Sequence, residues 1–522
     1  MQKEKISLAD TGFFQPLFIE YANQNPELKP FLNEFPRIEN FEEIIKARRF
    51  SKERRMKLYE EIIDQYKDIR AGELVMENIQ SLVRENCYTV TTGHQLNIFT
   101  GPLYFIYKIV TVINTCRILS KEFPERRFVP VYWMASEDHD FEEISNFRLF
   151  GKTYRWETEA RGPVGRLHPG SLKSVLDQIP EKIPMFEEAY TRFNHLSDSV
   201  RYYVNELFGK YGLVVIEPDN KTFKSFFRDV MADDLDKFTA SRLVESASAE
   251  LSEIGFKSQV SPRPINLFYM DEQGRNRIIR ESEWYEVADT PRKFNRGEIQ
   301  AELMKNPEKF SPNVVLRPVY QEMILPNIGY VGGPAEIAYW LQLKKVFNYY
   351  KIQFPILIPR NSALYINNQT AVKLEKFAVR YSDLFLDIQH LKTKYILEKS
   401  GNNLNLEKEK QILQELFESI KYKAISVDGS LDGLVGAESA RTLKGFENIE
   451  KRIIKAEEKN QEITMRQLEN IKEKLFPEGK LQERTDNFLN FYLNKPGFIN
   501  ELVDHLEPLD FNFNILIESD PA

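Results

Sequence analysis

The chain runs to 522 residues, with 71 Lys plus Arg against 78 Asp plus Glu, a net charge of −7, and 42% hydrophobic and 29% charged residues. This is ordinary globular composition, and it is too long for one hydrophobic core, which stops growing at about 250 to 300 residues. The mild acidity argues against nucleic acid or an anionic membrane as partner, and two cysteines, Cys87 and Cys116, are too few for a disulfide framework or a thiolate zinc site.

The stretch from Met1 to Leu17 carries no export signal, and the most apolar run, Tyr104 to Ile113, is interrupted by Lys108 and is about half the length a bilayer requires. A cytoplasmic protein is expected. From Glu73 onward, short β-rich runs alternate with helical ones, the pattern of a parallel sheet with crossover helices. The first strand is predicted over Cys87 to Thr92. A polar loop follows, and a helix begins at Gly101-Pro102 with Leu103, Ile106, Val110, Ile113 and Cys116 on one stripe. Lys108 lies opposite that stripe, where a solvated lysine is the default. A second strand spans Phe128 to Ala135, with Pro130 suggesting an edge or bulge. A helical region from Met185 to Tyr211 leads to a third strand, Gly212 to Ile216. Strand four, Ile328 to Val331, turns at Gly332-Gly333-Pro334 into a helix from Ala335 to Tyr349, and strand five, Pro355 to Ile358, ends at Arg360. The fold class is therefore α/β, a doubly wound parallel sheet within residues 1–368, interrupted by modules near 150–184 and 240–312. The second module carries a hairpin, Leu267 to Met270 and Arg277 to Ile279 on either side of Asp271-Glu272-Gln273-Gly274.

Residues 369–475 read as an α-helical antiparallel coiled-coil arm. Leu374, Phe377, Tyr381, Leu384, Ile388, Leu391 and Tyr395 repeat at heptad spacing, and Ser400-Gly401-Asn402-Asn403 ends that helix. A second helix covers Leu406 to Lys423, and a third runs from Ala437 to Leu475 with its register slipping near Asn460. Residues 476–522 are rich in aromatic side chains and should pack back on the core.

In open α/β sheets ligands sit at the carboxyl ends of strands. Those ends carry Gly93, His94, Gln95 and Asn97 after strand one, Glu137, Asp138, His139 and Asp140 after strand two, Gly332 and Gly333 after strand four, and Arg360 after strand five. Each has a bland reading: His94 as a loop histidine, the acidic run as a helix start, the glycines as a tight turn, and Arg317, Gln321 and Glu322 as surface residues. Together they make a site more credible than any one of them does. No Gly-x-x-x-x-Gly-Lys-Ser/Thr loop is present.

The strings Thr91-Thr92-Gly93-His94-Gln95 through Gly101-Pro102-Leu103-Tyr104, Pro130 to Phe141, Arg317-Pro318, Gln321-Glu322, and Gly332-Gly333-Pro334-Ala335-Glu336 through Trp340 form a set that resembles the bacillithiol-synthesis cysteine ligase family. The resemblance covers essentially the whole chain. It implies a Rossmann-like core with two connecting-peptide insertions and a coiled-coil domain used for homodimerisation. The implied reaction joins cysteine to glucosaminyl malate through an amide, the last step of bacillithiol assembly. A wider similarity is to class I nucleotide-binding folds, whose His-x-Gly-His loop grips ATP; Gly93-His94 matches its second half and Thr91 stands in place of the first histidine. On that resemblance His94, Gln95 and Asn97 would position phosphate oxygens of ATP or ADP, and the Gly332 and Gly333 amides would hold a carboxylate or phosphate. Glu137, Asp138 or His139 would bind the cysteine ammonium or take a proton from the attacking amine, with Asp140, Arg317, Gln321, Glu322, Glu336 and Arg360 lining the site. No zinc is expected and no metal is assigned. The rival readings are a metal-dependent hydrolase centred on Glu137 to Asp140 and a non-enzymatic dimeric scaffold.

Overall fold

The computed structural model describes residues 1–271, 274–399 and 404–519. The chain divides into two compact units, one of Lys3–Leu364 with Gln482–Leu516, the other of Tyr365–Leu481 with the residues from Ile517 onward.

The first unit is built on a five-stranded parallel sheet of β1 (Cys87–His94), β2 (Arg127–Met134), β3 (Val214–Ile216), β4 (Asn327–Gly332) and β5 (Ile356–Pro359), in the order β5-β4-β1-β2-β3. β2 to β5 are buried along nearly their whole length, as parallel strands covered on both faces must be. The order reverses between β1 and β4, so the carboxyl ends of these two strands open a crevice where connections leave in opposite directions. Pro130 is not at an edge: β2 lies between β1 and β3. It pairs with Val90 of β1 and lies one residue before the β3 ladder begins at Val131 and Val214.

Helix α1 (Tyr104–Glu122) follows β1 and is buried at every residue from Phe105 to Cys116. Helix Phe498–His505 packs on it, and Asn114 Nδ2 donates to the carbonyls of Val503 and Leu506 at 2.8 and 2.7 Å. No face of α1 is left for a solvated lysine. The helical region before β3 is two helices, Pro184–Arg192 and Leu196–Phe208, because Phe193 and His195 are extended and Leu196 N turns away to donate to Leu167 O. After β4, α3 (Pro334–Trp340) and helix Lys344–Tyr349 likewise replace one long helix. Just before β4 lies α2 (Arg317–Ile324). The second module contributes an antiparallel sheet of Leu267–Asp271, Gly274–Glu281, Trp284–Val287, Lys293–Asn295 and Phe310–Pro312. Its hairpin is the expected one; Glu272 and Gln273 of the turn lie outside the described residues.

The loop joining β1 to α1 holds three consecutive left-handed residues, Phe99, Thr100 and Gly101 at φ 51°, 72° and 64°. Such backbone persists only where its surroundings over-determine it. Here Tyr190 Oη accepts from Phe99 N at 2.8 Å, and Asn487 Nδ2 donates to the carbonyls of Phe99 and Gly101 at 2.7 and 2.6 Å. A Cβ on Gly101 would lie 2.5 Å from Asn97 Cβ.

In the second unit, the heptad run does not form one helix. Ala378 at φ 50° ends Asn368–Phe377, Tyr381–Phe385 is a 3-10 turn, and the pattern resumes on Ile388–Lys399; the phase is kept because Phe377 and Tyr395 still meet edge to face at 6.2 Å. Ser400 to Asn403 lie outside the described residues. Helices Glu407–Val427 and Asp432–Asn460 pair antiparallel, with Lys410 2.7 Å from Glu450 near one end and Lys421 2.8 Å from Asp432 near the other. The register slip is a real break, since Gln461 leaves helical geometry before Glu462–Leu475.

Asn487→Ala leaves two buried carbonyls unpaired and should lower the stability of the first unit by about 2 kcal/mol. Chemical denaturation followed by tryptophan fluorescence checks this, because Trp133, Trp156, Trp284 and Trp340 all lie in that unit.

Candidate active site

A cavity of about 1090 Å³ opens at the β1/β4 crevice, with Gly93, His94, Gln95, Glu137 to Asp140, Arg317, Gly333, Glu336 and Arg360 among its lining residues. Four strand ends thus converge, together with the face of the antiparallel sheet that bears Phe268, Arg275 and Arg277. Asn97, Gln321, Glu322 and Gly332 are not on its wall.

The centre is a buried ion pair. Lys108, 3% exposed on α1, pairs with Glu336 of α3 and donates to Gly93 O at 2.9 Å. Glu336 also accepts from Tyr330 Oη at 2.6 Å and from Gly333 N at 2.8 Å. Burial pulls the Lys108 ammonium below its ordinary range, with Glu336 opposing. Burial works against the charge on Glu336 as well, yet Lys108, Tyr330 and Gly333 hold its carboxyl below the usual value. The Gly333 amide is therefore taken by the chain's own carboxylate, and the double-glycine turn is a capped helix start instead of an open anion cradle.

His94 stacks on Phe105 at 5.1 Å and meets Tyr104 edge-on at 5.4 Å. Burial, reinforced by the Lys108 and Arg360 charges, pushes the imidazole well below its ordinary range, so the ring is neutral; its Nε2 is buried without a hydrogen-bond partner. Gln95 is engaged by carboxylates of its own chain. Its Nε2 donates to Asp138 Oδ2 at 3.0 Å and to Glu143 Oε2 at 2.5 Å, while Asn97 Nδ2 donates to Glu143 O at 2.8 Å. These two amides organise the acidic loop.

Within that loop the four residues diverge. Glu137 pairs with buried Lys224 and accepts from Ser311 Oγ at 3.1 Å; burial pushes its carboxyl up, with Lys224 pulling the other way. Burial also works against Asp138, but hydrogen bonds from Gln95 and from the His139 backbone amide, with the Arg275 charge, hold its carboxyl well below the usual range. Asp140 caps helix Phe141–Ile144 by accepting from Glu143 N at 3.2 Å, the helix-start role. Among the described residues no three His, Cys, Asp or Glu side chains converge as a metal would require.

The cations on the wall fall into two groups. Lys108 is neutralised by Glu336, and Arg360 by Glu483 at 2.6 Å. Arg317 donates to neutral partners, Gln321 Oε1 and Tyr339 Oη, both at 3.1 Å, and exposed Arg263, Arg277 and Arg484 form no ion pair among the described residues. Gly93 is glycine for a reason, since a Cβ there would lie 3.2 Å from Arg317 Nη1. Gln321 and Glu322 serve a layer beneath: Glu322 accepts from Gln321 Nε2 and Asn327 Nδ2 and faces Arg48 at 3.7 Å.

Sequence reasoning missed Lys108, Lys224, Arg275 and the free arginines. The signal for Lys108 was a single charge in a run of ten residues otherwise apolar or aromatic but for Thr111. That for Arg275 and Arg277 was their two-residue spacing, which puts both on one face of a strand.

Residues 1–361 match the family described as "Bacillithiol biosynthesis BshC, N-terminal Rossmann-like domain", and residues 363–518 match "Bacillithiol biosynthesis BshC, C-terminal coiled-coil domain". The chain belongs to the BshC family. Its relatives in this family include proteins named "Putative cysteine ligase BshC" from Flavobacterium johnsoniae (40% identity, 99% of this chain and 100% of the relative), Flavobacterium psychrophilum (40%, 99% of each) and Cytophaga hutchinsonii (39%, 98% of each). In this BshC chain the residues matched to the Rossmann-like domain supply the cavity wall except for Arg484, which belongs to the stretch matched to the second family model, and no helix among the described residues is long and apolar enough to cross a membrane.

Two predictions follow from the buried groups. Lys108→Met strands the Glu336 carboxylate and should cost about 3 kcal/mol, while the Lys108→Met/Glu336→Gln double variant recovers a large part of it in a double-mutant denaturation cycle. Glu217, at the end of β3, accepts from Ser136 Oγ, and burial, with Asp219 nearby, pushes its carboxyl up to about 7. The folded state then holds a proton that the unfolded state releases, so wild-type stability declines as pH rises from about 4.5 to about 7. Glu217→Gln should therefore gain stability relative to wild type at pH 8 and gain little at pH 4.5, read from unfolding midpoints at the two values.

Proposed function

We propose that this chain is a cysteine ligase of bacillithiol biosynthesis, forming the amide between the carboxyl of cysteine and the amine of glucosaminyl malate in the cytoplasm. Family membership supports the reaction class, and one observation at the site supports the assignment of roles: Arg317, on the wall of the β1/β4 crevice, is a guanidinium that makes no ion pair among the described residues and feels Glu336 only at longer range. A buried or half-buried charge normally has a partner, and here a ligand anion supplies it. The anion is a carboxylate or phosphate, with ATP activating the cysteine carboxyl and Arg317 bearing the charge that a neutral His94 does not.

Asp138 is ionised and partly open to the cavity, so it is the carboxylate suited to the cysteine ammonium; Glu137 is already committed to Lys224 and Ser311. The acceptor brings two malyl carboxylates, and Arg263, Arg277 and Arg484 are the cations left to receive them. The hydrolase reading loses its basis because Glu137 and Asp140 are each engaged within the protein. The arm pairs its helices within the chain and still exposes Ile412, Leu416, Leu434 and Ile449, at 65, 54, 60 and 51%. A second copy covering this surface makes the protein a homodimer.

Arg317→Gln should lower amide formation from cysteine and glucosaminyl malate by about 10²-fold, the loss of one charged anion contact in a partly buried site. Arg277→Gln should raise KM for glucosaminyl malate while leaving KM for cysteine unchanged, measured by thiol product formation. Amide formation at the wild-type rate in Arg317→Gln would remove the support for this site. Ile412→Asp with Leu416→Asp should convert a dimer to a monomer in sedimentation analysis.

A further inference from the structure

Arg275 is a tightly held guanidinium on the cavity wall. Its side chain is 8% exposed and lies 3.9 Å over the Phe268 ring. Nε donates to Ser311 Oγ at 3.0 Å and Nη2 to Pro312 O at 3.1 Å, which fixes the plane and leaves Nη1 facing His139 Nδ1 at 3.1 Å. A guanidinium carries only donors and keeps its charge at any pH a protein survives. The nitrogen it faces must therefore accept. Asp138 Oδ1 is the competing neighbour of Nδ1 but lies 3.6 Å away, beyond a hydrogen bond, and already accepts from His139 N at 2.7 Å. An Nδ1–H aimed at it would stand against an Nη1–H of Arg275.

We propose that Arg275 is a positioning residue that locks His139 as the Nε2–H tautomer, so that the ring presents a hydrogen-bond donor, and no basic lone pair, to the cavity. His139 is partly exposed on the wall, next to the carboxylate assigned to the cysteine ammonium. A fixed N–H there serves a carbonyl oxygen that gains negative charge as the amide forms, and it cannot take the proton from the attacking amine. This catalytic consequence rests on the ligase reading; the tautomer itself does not.

The test uses the full-length chain with 15N-labelled histidine, His139 being assigned by the loss of its signals in His139→Gln. In wild type, Nδ1 should resonate as a bare imidazole nitrogen and Nε2 as a protonated one, whereas in Arg275→Gln the proton should shift toward Nδ1, where Asp138 becomes its neighbour. A proton on Nδ1 in wild type overturns the proposal without any variant, as does an unchanged tautomer in a folded Arg275→Gln. Kinetics decide the role. His139→Gln keeps an N–H but has no basic nitrogen, so its kcat should stay within about tenfold of wild type while His139→Ala loses about 10²-fold. Equal losses in the two variants would make His139 a base and refute the donor role. A wild-type chain that forms no amide at all would defeat the ligase reading alone, and the ring nitrogens would still settle the tautomer.

Discussion

The candidate site depends on a single buried interaction, the Lys108–Glu336 pair. It joins the consecutive elements β1 and α1, through the Gly93 carbonyl and the lysine, to α3, which lies far along the chain and supplies the glutamate. Two charges taken out of water gain little net stability from each other, but losing either one strands the other. Such a pair sets register more than it adds stability. Its effect here is to close the double-glycine turn on Glu336 and to hold the β1 carboxyl end at a fixed height beside β4, where Gly93 leaves room for the Arg317 guanidinium.

Once that pair and Arg360–Glu483 are set aside, the charges on the wall sort by location. Cations that belong to the Rossmann-like sheet mostly have counter-charges inside the protein, Arg317 excepted, whereas Arg263 and Arg277 of the inserted module and Arg484 of the returning segment have none. Arg275, also of the inserted module, does have a counter-charge, Asp138, 3.8 Å from its Nη1. It is spent on Ser311, Pro312 and His139, and so stitches the inserted sheet to the loop after β2. The module thus contributes an anchored arginine that shapes the site and a free one, two residues along the same strand face, that remains available to an anion.

Much of the fold was legible because parallel strands buried on both faces leave continuous apolar runs, and β2, β3 and β5 can be read directly from such runs. What was not legible followed from context. Pro130 reads as an edge residue, but β3 is short enough to begin its ladder one position later. The heptads from Leu374 to Tyr395 read as one helix, but periodicity survives a 3-10 turn that preserves phase. At the site, the residues at strand ends were recoverable from topology alone, since a doubly wound sheet brings those ends together. The roles of Asn97, Gln95 and Gly333 were not, because a polar group facing a ligand and one facing its own backbone look alike in a sequence. Lys108 was misjudged for a related reason: its partner Glu336 comes from α3, more than 200 residues later.

The same argument accounts for Thr91, which stands where class I nucleotide-binding loops place their first histidine. Its Oγ1 donates to Asn327 Oδ1 at 2.8 Å, with Thr89 donating to the same oxygen at 3.1 Å, so the side chain is locked between β1 and β4 and is fully buried. Asn327 in turn donates to Glu322, which faces Arg48. Position 91 is therefore part of the seam that fixes the spacing of the two strands, and its side chain points away from the crevice toward that seam. With this position structural and His94 kept neutral between Tyr104 and Phe105, neither position offers a charge to an anion, and on the proposed function that charge comes from elsewhere. Arg317, entering from α2 against the face of Gly93, occupies the place from which that charge can be supplied.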